Sequence, residues 1–172
     1  MIRWIDIRGL LGNLLLLVIQ VLVLKHIVVY EYAFCFAYVM LLLMIPMEAS
    51  PIAQLLTGFA IGIMVDVFYN TIGMHAAASV LMVYVKMHWM KLLTPSGGYD
   101  IGTRLNMRTQ GLQWFLLYSF PLIFIHALSL FIIEAGGFNL IGLTLVKGIY
   151  SALFTMVMIL VLQYLFYKKI NG

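Results

Sequence analysis

Six long runs of apolar residues account for most of this 172-residue chain, and mostly short connections separate them. Hydrophobic residues make up 65% of the sequence and charged residues only 9%, whereas a soluble domain has about 25% charged residues. A water-soluble fold of this length would leave much of that apolar surface exposed. The runs therefore predict a membrane protein, with lipid as the solvent for most of the chain.

A helix that crosses the hydrocarbon core of a bilayer needs roughly 17–25 mostly apolar residues. The six runs reach or approach this length, and they cover residues 10–24, 32–47, 52–69, 73–93, 112–135 and 140–167. The second run is the shortest and ends at Pro46 and Glu48. We therefore predict an all-α membrane protein, a six-transmembrane-helix bundle in which residues 1–172 form a single integral-membrane domain.

Lysine and arginine in the connections predict the orientation, because the cytoplasmic connections of membrane proteins are enriched in them. With six spans and the N-terminus inside, eight basic residues belong to the cytoplasmic side and two to the outer side. The inner set is Arg3, Arg8, Lys86, Lys91, Arg104, Arg108, Lys168 and Lys169, and the outer set is Lys25 and Lys147. Five spans would divide these residues about evenly. The pattern predicts that both termini are cytoplasmic.

Composition also bears on the possible partners. The net charge is +4, but no basic cluster is interleaved with aromatic residues on a polar face, so we expect no nucleic-acid partner. The connection over residues 94–111 is the one segment with the length and composition of a loop. It is a candidate contact for a soluble partner, or a solvated linker beside anionic membrane lipid. The single cysteine, Cys35, lies in an apolar run and is interpreted as a packing residue.

The third run carries a pattern of small and acidic residues. Gly58, Gly62 and Asp66 are spaced at i, i+4 and i+8, so a helix places them on one face. Two glycines four residues apart allow a neighbouring backbone to approach closely. We expect this face to pack against a neighbouring span of the same chain.

Asp66 lies one turn from the predicted outer end of its span, and three roles are open for it. It caps the N-terminus of the fourth helix across the short turn over residues 70–73, where a carboxylate is favoured. Alternatively, it forms an intramembrane ion pair with Lys147, which is also predicted near the outer face. The third role is to bind a partner or a ligand.

Polar residues recur at helical spacing in four of the runs. Side chains of this kind inside a membrane usually face protein rather than lipid. The sets are Asn13 and Gln20; His75, Ser79, Met82 and Lys86; Ser119, His126 and Ser129; and Thr144, Lys147 or Gly148, Ser151 and Thr155. We predict that they form hydrogen bonds between helices along the inner seams of the bundle.

Motifs of catalysis are not found in the sequence. It contains no zinc-protease H-E-x-x-H, no G-x-S-x-G, no Walker loop and no dinucleotide fingerprint. The best candidate pair is His75 with Asp66, for which packing and capping are the simpler interpretation. We therefore predict a protein that is not an enzyme, with no catalytic residue, no cofactor and no metal site.

The stretch over residues 56–66, LTGFAIGIMVD, followed by GMHAAASV over residues 73–80, resembles the motif of the MreD family of bacterial rod-shape proteins. The motif is Gly-Phe, a Gly three residues on, an Asp four residues further, then a turn, a Gly and a helix of small residues that leads to a Tyr, here Tyr84. The match covers residues 40–90, and the chain also resembles the family in length, span number and charge orientation. The rest of the sequence matches only in hydropathy. The resemblance maps the family motif onto Gly58, Phe59, Gly62, Asp66 and Gly73, whereas His75 fits only some members.

This resemblance implies a location, partners and a fold. MreD proteins lie in the bacterial inner membrane and belong to the cell-wall elongation (rod) complex. They bind MreC and, with it, associate with MreB, RodA and a class B penicillin-binding transpeptidase, and no reaction is attributed to MreD itself. The implied function is a non-enzymatic scaffold for peptidoglycan synthesis and cell shape. The family fold is similar to the S-component fold of energy-coupling-factor transporters.

That similarity suggests an alternative function, a small-molecule (vitamin)-binding transport subunit of the energy-coupling-factor type. Such a subunit needs a polar pocket near the outer face, and Asp66, His75 and Lys147 are the residues available to line one. Against this alternative, the first run lacks the A-x-x-x-A spacing with which such subunits meet their transport partner.

Overall fold

The computed structural model describes residues 7–94 and 105–166, without the side chains of residues 7–11, 13, 108 and 166. Several residues of the orientation argument therefore lie outside the description. These are Arg3, Arg104, Lys168 and Lys169, together with the side chains of Arg8 and Arg108. The side chain of Asn13, which was predicted to face a helix seam, also lies outside it.

The described chain is mostly helical, with one small hairpin. The helices are α1 (Ile7–Leu22), α2 (Val39–Leu43), α3 (Pro51–Tyr69), α4 (Met74–Leu93), α5 (Met107–Gln110), α6 (Leu112–Glu134) and α7 (Ile141–Phe166), and a 3-10 turn covers Leu24–His26. The strands are β1 (Val28–Val29) and β2 (Ala33–Phe34), which pair antiparallel.

Three of these helices are long and apolar enough to cross a membrane by length and composition: Pro51–Tyr69, Leu112–Glu134 and Ile141–Leu165. They confirm a helical protein of the membrane-spanning type. Helix α4 has 20 residues, but its histidines, serine and lysines lower its mean hydropathy. Helix α1 has 16 residues, which is slightly short of a full span.

The second predicted span does not form one continuous helix. Tyr30 and Glu31 have positive φ angles of 51° and 64° and turn the chain into the β hairpin. After β2 the chain stays irregular until α2, which has only five residues. The aromatic run over residues 32–38 explains the difference, because such residues favour extended backbone where neighbours cover both sides. Residues 33–45, here called the inner segment, lie almost entirely buried.

Helices α3 and α4 form a hairpin with well-defined ends. Ser50 Oγ accepts a hydrogen bond from Ala53 N at the start of α3, and Pro51 occupies the first helical turn. Asn70 ends α3 in the left-handed conformation, with φ 56°, and Gly73 begins α4 with φ 75°. A side chain with a Cβ is strained at such angles, which favours glycine at the second position.

Around this hairpin the packing is continuous. Helix α4 packs on α3 and α6, and α6 packs on α7. The inner segment lies among these helices, so that its side chains form much of the hydrophobic core. The largest fully buried side chains include Tyr38, Leu42, Leu43, Met82, Phe115, Tyr118, Leu122, Ile123 and Ile159.

Candidate functional site

The glycine face of α3 packs against α4, as the sequence predicted. A Cβ added to Gly62 would lie against Ala76 Cα and 2.8 Å from both Ala76 N and His75 O. A Cβ added to Gly58 would lie 2.9 Å from Val83 Cγ2, which belongs to a side chain. Gly62 is therefore required by a backbone-to-backbone contact, whereas the space at Gly58 is limited mainly by the buried side chain of Val83.

Asp66 caps the N-terminus of α4. Its Oδ1 accepts a hydrogen bond from His75 N at 3.0 Å, and its Oδ2 accepts one from Ala76 N at 2.9 Å. Thr71 Oγ1 donates a third hydrogen bond to Oδ1. The first turn of a helix has N–H groups without helical partners and a positive dipole end, so a buried carboxylate is stabilised there. The structure thus confirms the capping role.

Lys147 takes a different position from the one the ion-pair interpretation required. Its Nζ lies 5.8 Å from the ring centroid of Phe34 and 5.7 Å from that of Phe131. Within the part of the chain that the structure describes, Lys147 forms no ion pair with Asp66. The oxygens of Asp66 are already taken by two backbone N–H groups and a hydroxyl, while Lys147 makes favourable cation–π contacts elsewhere.

A shallow apolar groove runs along the outside of the α3–α4 hairpin. Phe59 borders it and is 49% exposed. The groove is lined by Leu55, Phe59, Gly73, Ala76, Ala77, Val80, Leu81 and Tyr84. Three of its lining residues, Gly73, Ala76 and Ala77, are small, and small residues let a second helix approach closely in a membrane. Two motif residues, Phe59 and Gly73, therefore face this groove rather than the α3–α4 seam.

Buried polar side chains of the surrounding helices hold the inner segment by its backbone. Gln20 of α1 is fully buried, donates from Nε2 to Cys35 O at 2.8 Å, and accepts from Tyr38 N at 3.3 Å. The same Nε2 lies 2.7 Å from Tyr69 Oη at the end of α3. One glutamine side chain thus joins α1, the inner segment and α3.

Two hydroxyls of α7 bind the extended part of the inner segment. Ser151 Oγ accepts from Phe34 N at 3.0 Å and donates to Tyr32 O at 3.2 Å. Thr155 Oγ1, one helical turn further along α7, accepts from Phe36 N at 2.9 Å and donates to Phe34 O at 3.4 Å. The two hydroxyls take the place of a neighbouring strand, because they satisfy backbone groups that lipid would leave unpaired.

The other end of the inner segment is bound by Lys86 and Tyr118. Lys86 is fully buried, and its Nζ donates to Leu42 O at 3.1 Å and to Ile45 O at 2.7 Å. The hydroxyl of Tyr118 donates to Leu43 O at 2.7 Å. Leu42 and Leu43 form the last turn of α2 and Ile45 follows it, where the carbonyls of a helix run out of helical donors. Leu42 O also accepts a hydrogen bond from Ile45 N at 3.4 Å.

Of the polar residues predicted to link helices, Gln20, Lys86, Ser151 and Thr155 are buried and bind the inner segment. Ser119 and Ser129 instead bind carbonyls of their own helix, and Ser129 and Lys147 are only partly buried.

Tyr38 connects two histidines at the centre of the molecule. Its hydroxyl lies 3.0 Å from His75 Nδ1 and 2.7 Å from His126 Nε2, and all three side chains are buried. A phenol carries one proton, so it donates to one imidazole and accepts from the other. Sequence reasoning placed both histidines on inward faces but missed Tyr38, because an apparent helix over residues 32–47 gave no reason to single it out.

The described titratable groups of the interior all have partners within the chain. Asp66 binds the α4 terminus, Lys86 binds carbonyls, and His75 and His126 share Tyr38. Among the described residues, no group of three or more His, Cys, Asp or Glu side chains is arranged to hold a metal ion. This arrangement rigidifies a non-helical segment inside a bundle.

Comparison with known proteins adds no relative. No protein-family model matches the chain, and neither a curated protein nor a solved structure matches it. The motif in α3 and α4, and its place in the fold, are therefore the observations on which a function is proposed.

Proposed function

We propose that this chain is a non-enzymatic integral-membrane scaffold of the bacterial rod complex, of the MreD type, and that it binds MreC. In that role it resides in the bacterial inner membrane beside MreB, RodA and a class B penicillin-binding transpeptidase. One observation supports this proposal most directly. Gly58, Gly62 and Asp66, which carry the resemblance, build a single rigid unit that ties α3 to the start of α4.

The same proposal includes six membrane crossings with both termini in the cytoplasm, in an S-component-like arrangement. Five crossings are α1, α3, α4, α6 and α7, and the inner segment is the second. Its residues 33–36 are extended at about 3.3 Å per residue, and residues 37–45 are in tight helical turns at roughly 1.5–2.0 Å per residue. The total is about 30 Å, close to the thickness of the hydrocarbon core. Non-helical backbone is tolerated at that depth only when protein surrounds it, and the inner segment is buried.

The groove on the α3–α4 hairpin is the surface we propose for MreC. A scaffold with little mass outside the bilayer meets its partner through lipid-facing surfaces, and small residues there allow close helix packing. The lining of the groove combines such small residues, Gly73, Ala76 and Ala77, with the aromatic residues Phe59 and Tyr84. A spanning helix of MreC is the proposed occupant.

Affinity purification from native membranes in mild detergent tests this function. The test variant is Ala77→Leu, because Ala77 is exposed in the groove and the longer side chain fills it without entering the core. The matched control is Ala60→Leu on α3, which makes the same change at an exposed site outside the groove. We expect the native chain and the control to recover MreC. With Ala77→Leu, we expect the recovered amount of MreC to fall by about ten-fold or more.

Two results would overturn the proposal. Equal recovery of MreC with Ala77→Leu would show that the groove is not part of the interface. Absence of MreC and the wall synthases from every preparation would show that the chain is not a scaffold of this complex. Recovery of an ATPase pair and a tightly bound vitamin would instead establish the transport function. A Gly62→Leu variant is a poor probe of docking, because Gly62 is required by the α3–α4 contact itself.

A further inference from the structure

Three connections of the fold each expose a large apolar side chain. Tyr30 is 89% exposed in the β hairpin, Ile72 is 100% exposed between α3 and α4, and Phe138 is 70% exposed between α6 and α7. Connections that face water usually carry small polar residues at such positions. These three residues are here called the rim.

The rim residues lie at one end of the bundle. Lys25 Nζ, just before the hairpin, donates to Phe68 O at the end of α3, at 2.6 Å. Lys147, at the start of α7, lies over the rings of Phe34 in the hairpin and Phe131 at the end of α6. These contacts link the three connections, so the rim residues belong to the same end of the bundle.

Turn geometry does not explain the residue at the hairpin tip. The hairpin loop has three residues, 30–32, because Val29 pairs with Ala33. Tyr30 and Glu31 both have positive φ and are the central residues of the turn that Tyr32 N closes on Val29 O, a conformation that Asn and Gly adopt with less strain. An exposed tyrosine therefore occupies a position where a smaller residue would fit the backbone better. We therefore attribute the tyrosine at this position to the environment of the hairpin tip.

The lengths of α3 and α4 indicate the environment at this end of the bundle. Helix α3 has 19 residues and α4 has 20, so at 1.5 Å per residue they are about 28 and 30 Å long. The hydrocarbon core is about 30 Å thick. Helices of that length end where the hydrocarbon ends, and a connection of only four residues, Asn70–Gly73, reaches no further than the headgroup layer. Tyrosine is enriched at this depth because its ring is apolar and its hydroxyl is polar.

We propose that the rim residues Tyr30, Ile72 and Phe138 insert into the interfacial layer of the leaflet at this end, so that a lipid surface covers them. The inference rests on the membrane crossings of the proposed function but needs no partner protein. For the proposed function, it follows that this end of the bundle offers little surface to water. A partner protein then binds along the lipid-facing sides of the chain.

Site-specific fluorescence on the full chain in liposomes tests the inference. Cys35 is buried and is the only cysteine, so a Cys35→Ala background carries Tyr30→Cys, Ile72→Cys or Phe138→Cys, each labelled with an environment-sensitive NBD dye. Glu48→Cys, in the polar connection at the other end, is the control. We expect blue-shifted emission at the rim relative to the control, with stronger quenching by lipids that carry a nitroxide near the headgroup than by lipids with one deep in the chain.

Two outcomes would overturn the inference. Water-like emission without lipid quenching at all three positions would mean that the rim projects into the aqueous phase. Blue-shifted emission that no spin-labelled lipid quenches would mean that protein, such as a second copy of the chain, covers the rim. Since no MreC is present in the liposomes, either result is independent of the co-purification experiment, and a failure to recover MreC leaves the fluorescence result intact.

Discussion

The α3–α4 hairpin and the inner segment satisfy their backbones in opposite ways. In the hairpin, each helix pairs its own N–H and C=O groups, and the sequence has only to supply two small residues for the contact and a carboxylate for the open terminus. In the inner segment, side chains of α1, α4, α6 and α7 satisfy the backbone, from positions as far as 121 residues away in sequence. The hairpin is a local structure, whereas the inner segment exists only once the rest of the bundle has formed around it.

The largest expected effect is at Gly62, within the hairpin. Gly62→Ala places a Cβ against the backbone of Ala76, which has no alternative position, so we expect a loss of about 3 kcal/mol or more in the free energy of unfolding. Gly58→Ala is the matched comparison, because its Cβ would lie 2.9 Å from Val83 Cγ2 and at ordinary contact distance, 3.5 Å, from the nearest backbone atom, Ser79 O. We expect a smaller loss there, about 1–2 kcal/mol, because the buried Val83 has to shift. SDS titration in detergent micelles measures both, and equal losses would refute the distinction.

The next effect is at Lys86, which holds the inner segment. Lys86→Met leaves two buried carbonyls, Leu42 O and Ile45 O, without this donor. Leu42 O keeps its hydrogen bond from Ile45 N, whereas Ile45 O loses its donor, at a cost of about 1–3 kcal/mol that is partly offset because an ammonium no longer has to be buried. We expect a net loss of about 2 kcal/mol in the same titration. Lys91→Met, at an exposed position of the same helix, is the control and should change stability by less than about 0.5 kcal/mol.

A smaller effect is expected at Asp66. Asp66→Asn keeps the side-chain shape but removes the charge at the α4 terminus and turns an acceptor into a donor that faces Ala76 N or His75 N. We expect a loss of about 1–2 kcal/mol. Lys147→Met should add its own effect independently, because the two side chains do not pair. A double mutant whose loss differs from the sum by more than about 0.5 kcal/mol would show that they interact.

The smallest effect is at Thr155, on the extended part of the inner segment. Thr155→Val removes the acceptor for Phe36 N and the donor to Phe34 O while it retains the shape of the side chain. We expect a loss of about 1 kcal/mol, detected as a lower midpoint in the SDS titration. Val157→Thr on the exposed face of α7 is the reverse control and should be nearly neutral. A neutral Thr155→Val would mean that this hydroxyl does not support the segment.

The difference between the two regions also explains what the sequence predicted. The contact of Gly58 and Gly62 and the cap by Asp66 follow from helical spacing and from the chemistry of a helix terminus, both of which are local. The inward faces of Gln20, Lys86 and Thr155 were predicted for the same reason. Their partner, the non-helical inner segment, was not predicted, because the apolar run over residues 32–47 has the composition of a spanning helix. Only the folded bundle supplies the donors and acceptors that stabilise another conformation.

The same limit applies to Tyr38 and the Asp66–Lys147 pair. Tyr38 lies between two histidines from different helices, a juxtaposition that no spacing in the sequence reveals. An ion pair was a reasonable expectation for two opposite charges near one end of the bundle. Lys147 instead lies over aromatic rings. The β hairpin, which the sequence did not predict, brings one of these rings, that of Phe34, to Lys147.

The conformation of the inner segment at Ala33 tests this account most directly. Ala33–Phe34 is the only Ala-Phe pair in the chain and Ala60–Ile61 the only Ala-Ile pair. Protein in lipid that is labelled with 13C-alanine and either 15N-phenylalanine or 15N-isoleucine therefore reports each alanine alone by solid-state NMR. We predict extended Cα and Cβ shifts at Ala33 and helical shifts at Ala60, in α3. Helical shifts at both would contradict the account and restore a second spanning helix over residues 32–47.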